Sequence, residues 1–389
     1  MNTSSPNVLI EGNVSLPDRT EYCQVSIKDG IICDIVFDRQ QFSTSNISLR
    51  SDQILCPGFI DPQINGGFGK EFKTDEDAFA VVANNIPRYG VTSIVPTITT
   101  KRIADYKRHI SLLKRNHTNL LNSARILGIH IEGPALNPEK KGAHPRDLLV
   151  QPREIDLFEI ITPDVLIFTL APELDGGWEL ADKCIKSGLK VGLGHTLSDY
   201  DDIVRHFNTD SMHIVHVYNG MPDLSGRKPG VSGAALNNPD YYASVIADLV
   251  HVHPASLDVL WKSRNGCNLF GISDGSAVLG LPTGVHKIGD RSIERLEDRA
   301  VLEATNTLVG SVLTMNIAAR NLYRTTGCAL WQAINFVSLN AAKYLGMDDQ
   351  IGSITVGRNA DLCVIDNNFE VNLTIINGVI VYDSSSNAH

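Results

Sequence analysis

Four carboxylate and imidazole side chains lie where short apolar runs end, and together they could form a hydrolytic centre. Glu132 lies in GIHIEGP, His195 in LGHT, His216 in HVYNG and Asp274 in GISDG. One carboxylate with two imidazoles suits Zn²⁺ or another borderline first-row ion with a position left for water. A single histidine in such a place is more often a structural group. The prediction of Glu132, His195 and His216 as metal ligands therefore depends on the whole set.

Asp274 could supply the proton transfer that this centre needs. Bound to such an ion, water reaches a pKa of roughly 7, so a nucleophile is available at neutral pH. A carboxylate opposite that water can take its proton and deliver it to a leaving nitrogen. The competing interpretation is an aspartate that caps the next helix. The residues thus favour metal-assisted hydrolysis with Asp274 as the acid/base.

Two loops rich in glycine and proline follow these residues and could hold a substrate. NPEKKGAHP brings His144 after Glu132, where its imidazole could polarise a carbonyl oxygen. YNGMPDLSGRKPG carries Arg227, whose guanidinium suits phosphate or carboxylate; a plain surface charge is the alternative. His251 ends another apolar run together with Asp248 and favours the anion-binding interpretation. We predict that Arg227, His251 and Asp248 contact the substrate.

The run GFIDPQING, residues 58–66, ends in polar side chains but contains no imidazole. We predict that Gln63 and Asn65 form hydrogen bonds beside the ion or its substrate, and that Asp61 is a supporting carboxylate. His130 and His213 lie within apolar runs. Both are predicted to be structural or to support the metal ligands.

Eight short apolar runs, each followed by a polar or glycine-rich break and a helix-like stretch, position these side chains. Parallel βα units have this pattern, and eight of them fit an α/β fold, a (β/α)8 TIM-like barrel over residues 58–349 with its active site at the carboxyl ends of the strands. Residues 1–57 and 350–389 are rich in strands and turns, and we predict that both termini form one small β-sandwich domain. The runs are GFIDPQING, VTSIVPTITT, RILGIHIEGP, DVLIFTLAPE, KVGLGHT, HIVHVYNG, YASVIADLVH and NLFGISDG.

The composition limits the class of protein and its partners. The 389 residues are 43% hydrophobic and carry a net charge of −10, which argues against nucleic acid as a partner. No apolar stretch approaches the roughly 20 residues of a membrane span, and MNTSSPN has no basic segment of a secretion signal. The seven cysteines form no CxxC pair, which predicts neither disulfides nor a thiolate site. A cytoplasmic protein is expected.

An ordered set of motifs resembles the N-acetylglucosamine-6-phosphate deacetylase family of the amidohydrolase superfamily. The motifs are GIHIEGP, KGAHP, LGHT, HVYNGMP, IADLVHV, ISDG and LVGSVLTM. The resemblance covers essentially the whole chain and implies that the acetamide of N-acetylglucosamine 6-phosphate is hydrolysed to glucosamine 6-phosphate and acetate. Another N-acetyl amino-sugar phosphate, such as the galacto epimer, is the alternative substrate. A catalytically silent binding barrel is disfavoured because Glu132, His195, His216 and Asp274 are all present.

The resemblance also implies particular roles and an assembly. His144 would polarise the acetyl carbonyl, while Arg227 and His251 would hold the phosphate. One divalent ion per subunit is implied, with Zn²⁺ preferred and Fe²⁺, Co²⁺ or Mn²⁺ as alternatives, in a homodimer with active sites near the subunit interface. Further substrate contacts would come from Ala143, Asn219, Gly220, Leu308, Val309 and Gly310.

The chain departs from the family pattern at several places. Many members have alanine at the position of Gly220 and a Thr-Asp-Ala sequence where this chain has Ser273-Asp274-Gly275, and SAVLGLPTGVHKIGD departs from an alanine-rich stretch. Many amidohydrolases end the first strand in His-x-His, which binds a second metal; here Asp61 and Gln63 stand there. Since glutamine is a weak neutral ligand, we predict a single-metal enzyme.

Overall fold

The computed structural model describes residues 8–115 and 122–387. The first part of the chain forms five strands before the barrel begins. Their apolar side chains, among them Ile10, Val14 and Val25, are fully buried in a small core of their own. The strands are β1 (Val8–Ser15), β2 (Thr20–Lys28), β3 (Ile31–Val36), β4 (Ile47–Ser48) and β5 (Gln53–Pro57).

The eight apolar runs all form strands, and these strands follow one another around a parallel barrel, as predicted. β16 and β6 close the barrel through a parallel bridge between Ile64 and Gly275 and a hydrogen bond from Asp274 N to Gln63 O of 2.9 Å. The barrel strands are β6 (Phe59–Ile64), β9 (Val91–Thr99), β11 (Ile129–Glu132), β12 (Val165–Leu170), β13 (Lys190–Leu193), β14 (Met212–Ile214), β15 (Tyr242–Val245) and β16 (Leu269–Gly271); short strands between them are β7 (Gly66–Gly67), β8 (Lys70–Glu71) and β10 (Arg125–Ile126).

Helices with one apolar face surround the barrel. In KRIADYKRHISLLKR, residues Tyr106, His109 and Leu113 are buried, while the lysines and arginines from Lys107 to Arg115 are exposed on a solvated face. The helices are α1 (Ala78–Asn85), α2 (Tyr106–Arg115), α3 (Leu157–Ile160), α4 (Gly177–Lys186), α5 (Tyr200–His206), α6 (Gly230–Asn237), α7 (Pro254–Arg264), α8 (Met315–Thr326), α9 (Leu330–Phe336) and α10 (Leu339–Leu345). None of the helices in the described ranges has the length and apolar composition required to cross a bilayer.

A small antiparallel sheet lies between β16 and α8, in the stretch where the sequence departs from the family pattern. It consists of β17 (Gly284–Ile288), β18 (Arg291–Arg295) and β19 (Ala300–Leu302). Ile288, Ile293 and Val309 contribute to a separate apolar cluster beneath it. The sequence analysis did not predict this sheet, which brings Arg291 to the edge of the barrel mouth.

The C-terminal strands complete the sheet begun by the N-terminal ones. β20 (Leu362–Asp366), β21 (Val371–Ile376) and β22 (Val379–Asp383) add to β5 in the order β22-β21-β20-β5-β1-β2-β3, with β4 paired to β1. Cys363 of β20 lies opposite Cys56 of β5 in an antiparallel pair. Both termini therefore form one separate sheet, as predicted, and β5 leads directly into the first barrel strand.

Candidate active site

Glu132 and two histidines meet at the carboxyl ends of β11, β13 and β14. Glu132 is buried, and its Oε1 lies 3.5 Å from His195 Nε2 and 3.4 Å from His216 Nε2. His195 and His216 both have positive φ, 50° and 34°, a conformation that costs a non-glycine residue free energy and is concentrated at functional sites. The fold thus holds three side chains that the sequence predicted as metal ligands around one point.

In both histidines the other ring nitrogen, Nδ1, lies beside a backbone carbonyl oxygen. His195 Nδ1 lies 2.7 Å from Lys140 O, and His216 Nδ1 lies 3.0 Å from Asn219 O. A carbonyl oxygen only accepts, so each Nδ1 carries a proton, and Nε2 is the nitrogen that faces Glu132 and can offer a lone pair to an ion. A cation between the two Nε2 atoms and Glu132 Oε1 would be stabilised by two imidazoles and a carboxylate. Metal-binding histidines are oriented by backbone carbonyls in this way, so the residues present fit a divalent ion.

His144 reaches the same point from the loop after β11. Its Nε2 lies 3.6 Å from Glu132 Oε2, and its Nδ1 lies 2.7 Å from Thr100 Oγ1. The ligand atoms of Glu132, His144 and His195 all lie within 4.8 Å of one another. Burial lowers the pKa of His144 to about 4, so the ring is neutral at neutral pH. The cluster therefore contains a third imidazole next to the predicted ligand set.

Asp274 lies beside this cluster, held by amides from the first strand. Its Oδ1 accepts from Asn65 Nδ2 at 2.8 Å and from Gln63 Nε2 at 3.4 Å, and Gln63 Nε2 also lies 3.0 Å from Glu132 Oε1. Burial, followed by the negative charge of Glu132, raises the pKa of Asp274. Asp61 lies below, where its Oδ1 accepts from the amide of Ser273 at 3.1 Å. Gln63 and Asn65 thus connect the predicted acid/base to the predicted ligands.

A cavity of about 310 Å³ opens above the cluster. Gln63, Asp248 and Arg227 do not line it: Gln63 lies beneath it, Asp248 Oδ2 accepts from His251 Nδ1 at 2.6 Å, and Arg227 is exposed on the 218–230 loop. Asp248 therefore orients His251 toward the cavity. The remaining predicted site residues line it: Glu132, Ala143, His144, His195, His216, Asn219, Gly220, His251, Asp274, Leu308, Val309 and Gly310.

Two cations at the cavity mouth were missed by the sequence analysis. Lys73 follows β8, and Arg291 begins β18 and forms an ion pair with Glu71. Both residues come from segments that do not end a barrel strand, so strand-end reasoning does not find them. The pKa of Lys73 is lowered from its usual value, mainly by burial and secondly by the positive charge of Arg291.

Gly220 lies close to His195, in a backbone conformation that favours glycine. Its φ is +60°, and a Cβ added there would lie 2.9 Å from His195 Nδ1. Because that nitrogen already donates to Lys140 O, the methyl group would displace the imidazole. In this chain the glycine therefore permits the close approach between the 218–230 loop and His195.

His130 and His213 lie within the barrel rather than at its mouth. His130 bonds to Thr169 Oγ1 at 2.7 Å, and burial lowers its pKa to about 4. His213 packs against the rings of Phe270 and Tyr344. Neither lines the cavity, which agrees with the structural role predicted for both.

Comparisons with known proteins agree with this geometry. The model of the amidohydrolase family matches residues 54–381. The chain is 32% identical to the N-acetylglucosamine-6-phosphate deacetylase of Caenorhabditis elegans over 92% of this chain and 90% of that protein. It is 33% identical to the Bacillus subtilis enzyme of the same name over 92% and 93%.

Solved structures lead to the same family. The Mycobacterium smegmatis N-acetyl-D-glucosamine-6-phosphate deacetylase, solved as a mutant in complex with N-acetyl-D-glucosamine-6-phosphate, has a TM-score of 0.87 at 26% identity and covers 97% of this chain and 100% of that one. The Thermotoga maritima enzyme has a TM-score of 0.86 at 27% identity, with the same coverage. The chain belongs to the amidohydrolase family and, within it, to the N-acetylglucosamine-6-phosphate deacetylases.

Proposed function

We propose that this protein hydrolyses the acetamide of N-acetylglucosamine 6-phosphate to glucosamine 6-phosphate and acetate, a step in the breakdown or recycling of amino sugars. The observation that carries the proposal is the convergence of Glu132, His195 and His216 on one point beside Asp274, inside a cavity of about 310 Å³. The family membership supplies the substrate class. Metal-assisted amide hydrolysis requires a set of metal ligands and a carboxylate that transfers the proton. Glu132, His195 and His216 can supply the ligands, and Asp274 can supply the carboxylate.

The proposed cofactor is one divalent ion per subunit, held by Glu132, His195 and His216. When bound, such an ion acts as a Lewis acid and lowers the pKa of water at the site. Zn²⁺ is preferred for a carboxylate with two imidazoles; Fe²⁺, Co²⁺ and Mn²⁺ suit the same donors with different affinity. Gln63 supports a single ion because its amide nitrogen, a donor, points at Glu132 Oε1.

In the proposed reaction Asp274 moves the proton. Its carboxylate takes a proton from the attacking water and later gives it to the departing amine nitrogen. Asn65 and Gln63 donate to Oδ1, which leaves Oδ2 for this exchange. The two amides therefore fix the direction in which the proton-carrying oxygen points.

His144 is proposed to polarise the acetyl oxygen. This role requires a neutral ring with its proton on Nε2, and the hydroxyl of Thr100 can donate to Nδ1 across 2.7 Å to favour that tautomer. Burial keeps the ring neutral, since its pKa is lowered to about 4. The hydrogen bond from Nε2–H would strengthen as charge develops on the acyl oxygen.

His251 is proposed to bind the phosphate, with Asn219, Gly220, Ala143 and the segment 308–310 around the sugar. Burial by itself would lower the pKa of His251, but the hydrogen bond and the charge of Asp248 outweigh it and raise the pKa above the usual value. A cationic imidazole at the cavity wall suits a phosphate dianion. The residue that holds His251 in place is Asp248, which does not belong to the 218–230 loop.

Arg227 can bind the substrate phosphate, as proposed, only if it reaches the active site of another subunit. It is exposed and does not line the cavity of its own chain. In the homodimer that we propose, with active sites near the interface, the 218–230 loop would bring this guanidinium to the phosphate of the partner's substrate. We also propose a cytoplasmic location, because all seven cysteines are free.

Acetate release before and after chelation tests this function. The purified protein should contain one divalent ion per chain, lose acetate release from N-acetylglucosamine 6-phosphate when treated with a chelator, and regain it with added Zn²⁺. N-acetylgalactosamine 6-phosphate and unphosphorylated N-acetylglucosamine are the matched substrates, and both should have a lower kcat/KM. Activity without a bound ion contradicts the mechanism, and a preference for the galacto epimer contradicts the substrate assignment.

A further inference from the structure

A second cavity, of about 620 Å³, lies behind the loop that carries His251. Its wall includes Arg88, Arg295 of β18 and Arg320 of α8, together with residues of the terminal sheet. We call this cavity the arginine pocket. We propose that it is a second anion site that binds a phosphate group, separate from the catalytic cavity.

Two of the three guanidinium groups, those of Arg295 and Arg320, lack hydrogen-bond and ion-pair partners among the described residues. Nε of Arg295 and Nε of Arg320 are buried, and neither has a hydrogen-bond partner among the described residues. Neither side chain forms an ion pair with a carboxylate in the described ranges, whereas the neighbouring Arg299 pairs with Asp298 at 3.6 Å. The terminal nitrogens of both guanidinium groups also have no hydrogen bond among the described residues, and because both residues line the pocket these nitrogens are the donors left for an anion. A phosphate offers several charged acceptors in the geometry that guanidinium forks match.

Arg88 is positioned as the third side of the pocket. Its Nε and NH2 donate to the backbone oxygen and the side-chain oxygen of Asn85 at 3.2 and 2.8 Å, and its guanidinium lies over the ring of Phe68 at 5.4 Å. These contacts fix the side chain at the rim and leave NH1 without a hydrogen bond in the described structure. The pocket therefore presents three guanidinium groups from three separate segments, of which Arg88 is held in place by Asn85 and Phe68.

Four carboxylates also line the pocket, and none of them forms an ion pair with one of the three arginines among the described residues. Asp248 is buried in the wall, but its oxygens accept from His251 Nδ1 at 2.6 Å and from the amides of Val250 and His251 at 2.9 and 2.8 Å. The oxygens of Asp248 are thus occupied by hydrogen bonds from Val250 and His251. The other three are exposed, so solvent screens them; they are Glu297, Asp298 and Glu370.

The arginine pocket shares a wall with the catalytic cavity. Asp248 and Leu249 line it, and Asp248 orients His251, which lines the catalytic cavity. Asn321 also lines the pocket and donates from Nδ2 to Ala247 O at 2.9 Å. The segment 248–251 thus borders both cavities. The consequence for substrate affinity depends on the proposed function, whereas anion binding itself does not.

Titration calorimetry with inorganic phosphate tests the site. Wild-type protein should bind one more phosphate per chain than the double variant Arg295→Gln/Arg320→Gln, and each single variant should weaken that site roughly tenfold or more. Arg299→Gln is the matched control and should behave as wild type, because Arg299 is an exposed arginine in the nearby connection between β18 and β19. Equal stoichiometry and affinity in wild type and double variant would overturn the proposal.

Two further measurements keep the result interpretable. Phosphate should raise the Tm of wild type and of Arg299→Gln more than that of either single variant; equal shifts count against the site even if the double variant does not fold. Glycerol 3-phosphate in place of inorganic phosphate distinguishes a phosphomonoester site from a site for the free ion. Because both experiments measure binding only, a wild-type protein that releases no acetate would refute the proposed function and leave this inference standing.

Discussion

Replacing Asp274 with asparagine separates proton transfer from every other feature of the site. Asparagine has nearly the same shape, and its oxygen can accept the same hydrogen bonds from Asn65 at 2.8 Å and from Gln63 at 3.4 Å. The cavity and the metal-binding side chains should therefore be preserved. The amide lacks the ability to take and return a proton, so Asp274→Asn removes only the acid/base step.

The expected loss in kcat follows from that single step. General acid–base catalysis contributes roughly 10²- to 10⁴-fold, which is about 3 to 5 kcal/mol of transition-state stabilisation. KM for N-acetylglucosamine 6-phosphate should change by less than about threefold, because no contact to the sugar or phosphate is lost. Loss of the negative charge next to Glu132 weakens the attraction of the site for a cation, so kcat must be compared at equal metal content.

The assay is the steady-state rate of acetate release, with the metal content of each preparation measured in parallel. Asp61→Asn is the matched control: Asp61 is an aspartate of the same region, but it is fully buried and does not line the cavity. We expect Asp61→Asn to retain kcat within about threefold. A kcat of Asp274→Asn within tenfold of wild type, at equal metal content, would refute the assignment of Asp274 as the acid/base.

Three further predictions concern support, assembly and stability. Asp248→Asn should raise KM for the phosphorylated substrate roughly tenfold with little change in kcat, because His251 loses the charge that raises its pKa; an unchanged KM contradicts this role. Arg227→Ala should raise KM for N-acetylglucosamine 6-phosphate but not for N-acetylglucosamine, and analytical ultracentrifugation should find a dimer; a monomer with normal KM contradicts the cross-subunit contact. Burial raises the pKa of Asp61 to about 7, so the folded chain keeps a proton that the unfolded chain loses at lower pH, and its contribution to the free energy of unfolding falls between about pH 4 and pH 7. Urea unfolding of Asp61→Asn across this window should therefore be less dependent on pH than wild type, by a few kcal/mol, and parallel curves would contradict it.

The barrel was predictable because its strands are buried on both faces. Runs such as VTSIVPTITT form β9, which is buried along nearly its whole length, and a continuous apolar run of this length between polar breaks is typical of a parallel strand. The small sheet of β17 to β19 was not predicted. Most residues of β17 are exposed, so GVHKI has neither the continuous nor the alternating apolar pattern that indicates a strand.

The centre of the site was predictable for a related reason. Parallel strands end at one edge of a barrel, so side chains at those ends must approach one another, as Glu132, His195 and His216 do. The contacts of loops do not follow that rule, and Lys73 and Arg291 were missed. The role of Asp248 did have a local signal, because an aspartate that accepts from amides two and three residues later forms an Asx turn.

Gln63 supplies a physical reason for the single ion that we propose. Glu132 and Asp274 are buried close together, and their like charges must be compensated. The amide nitrogen of Gln63 lies 3.0 Å from Glu132 Oε1 and 3.4 Å from Asp274 Oδ1, so one NH2 group spans both carboxylates. The reverse orientation would turn its oxygen toward two anions, which fixes the assignment of the amide. Hydrogen bonds from Gln63 thus occupy the place between the carboxylates where a second cation would otherwise compensate their charge.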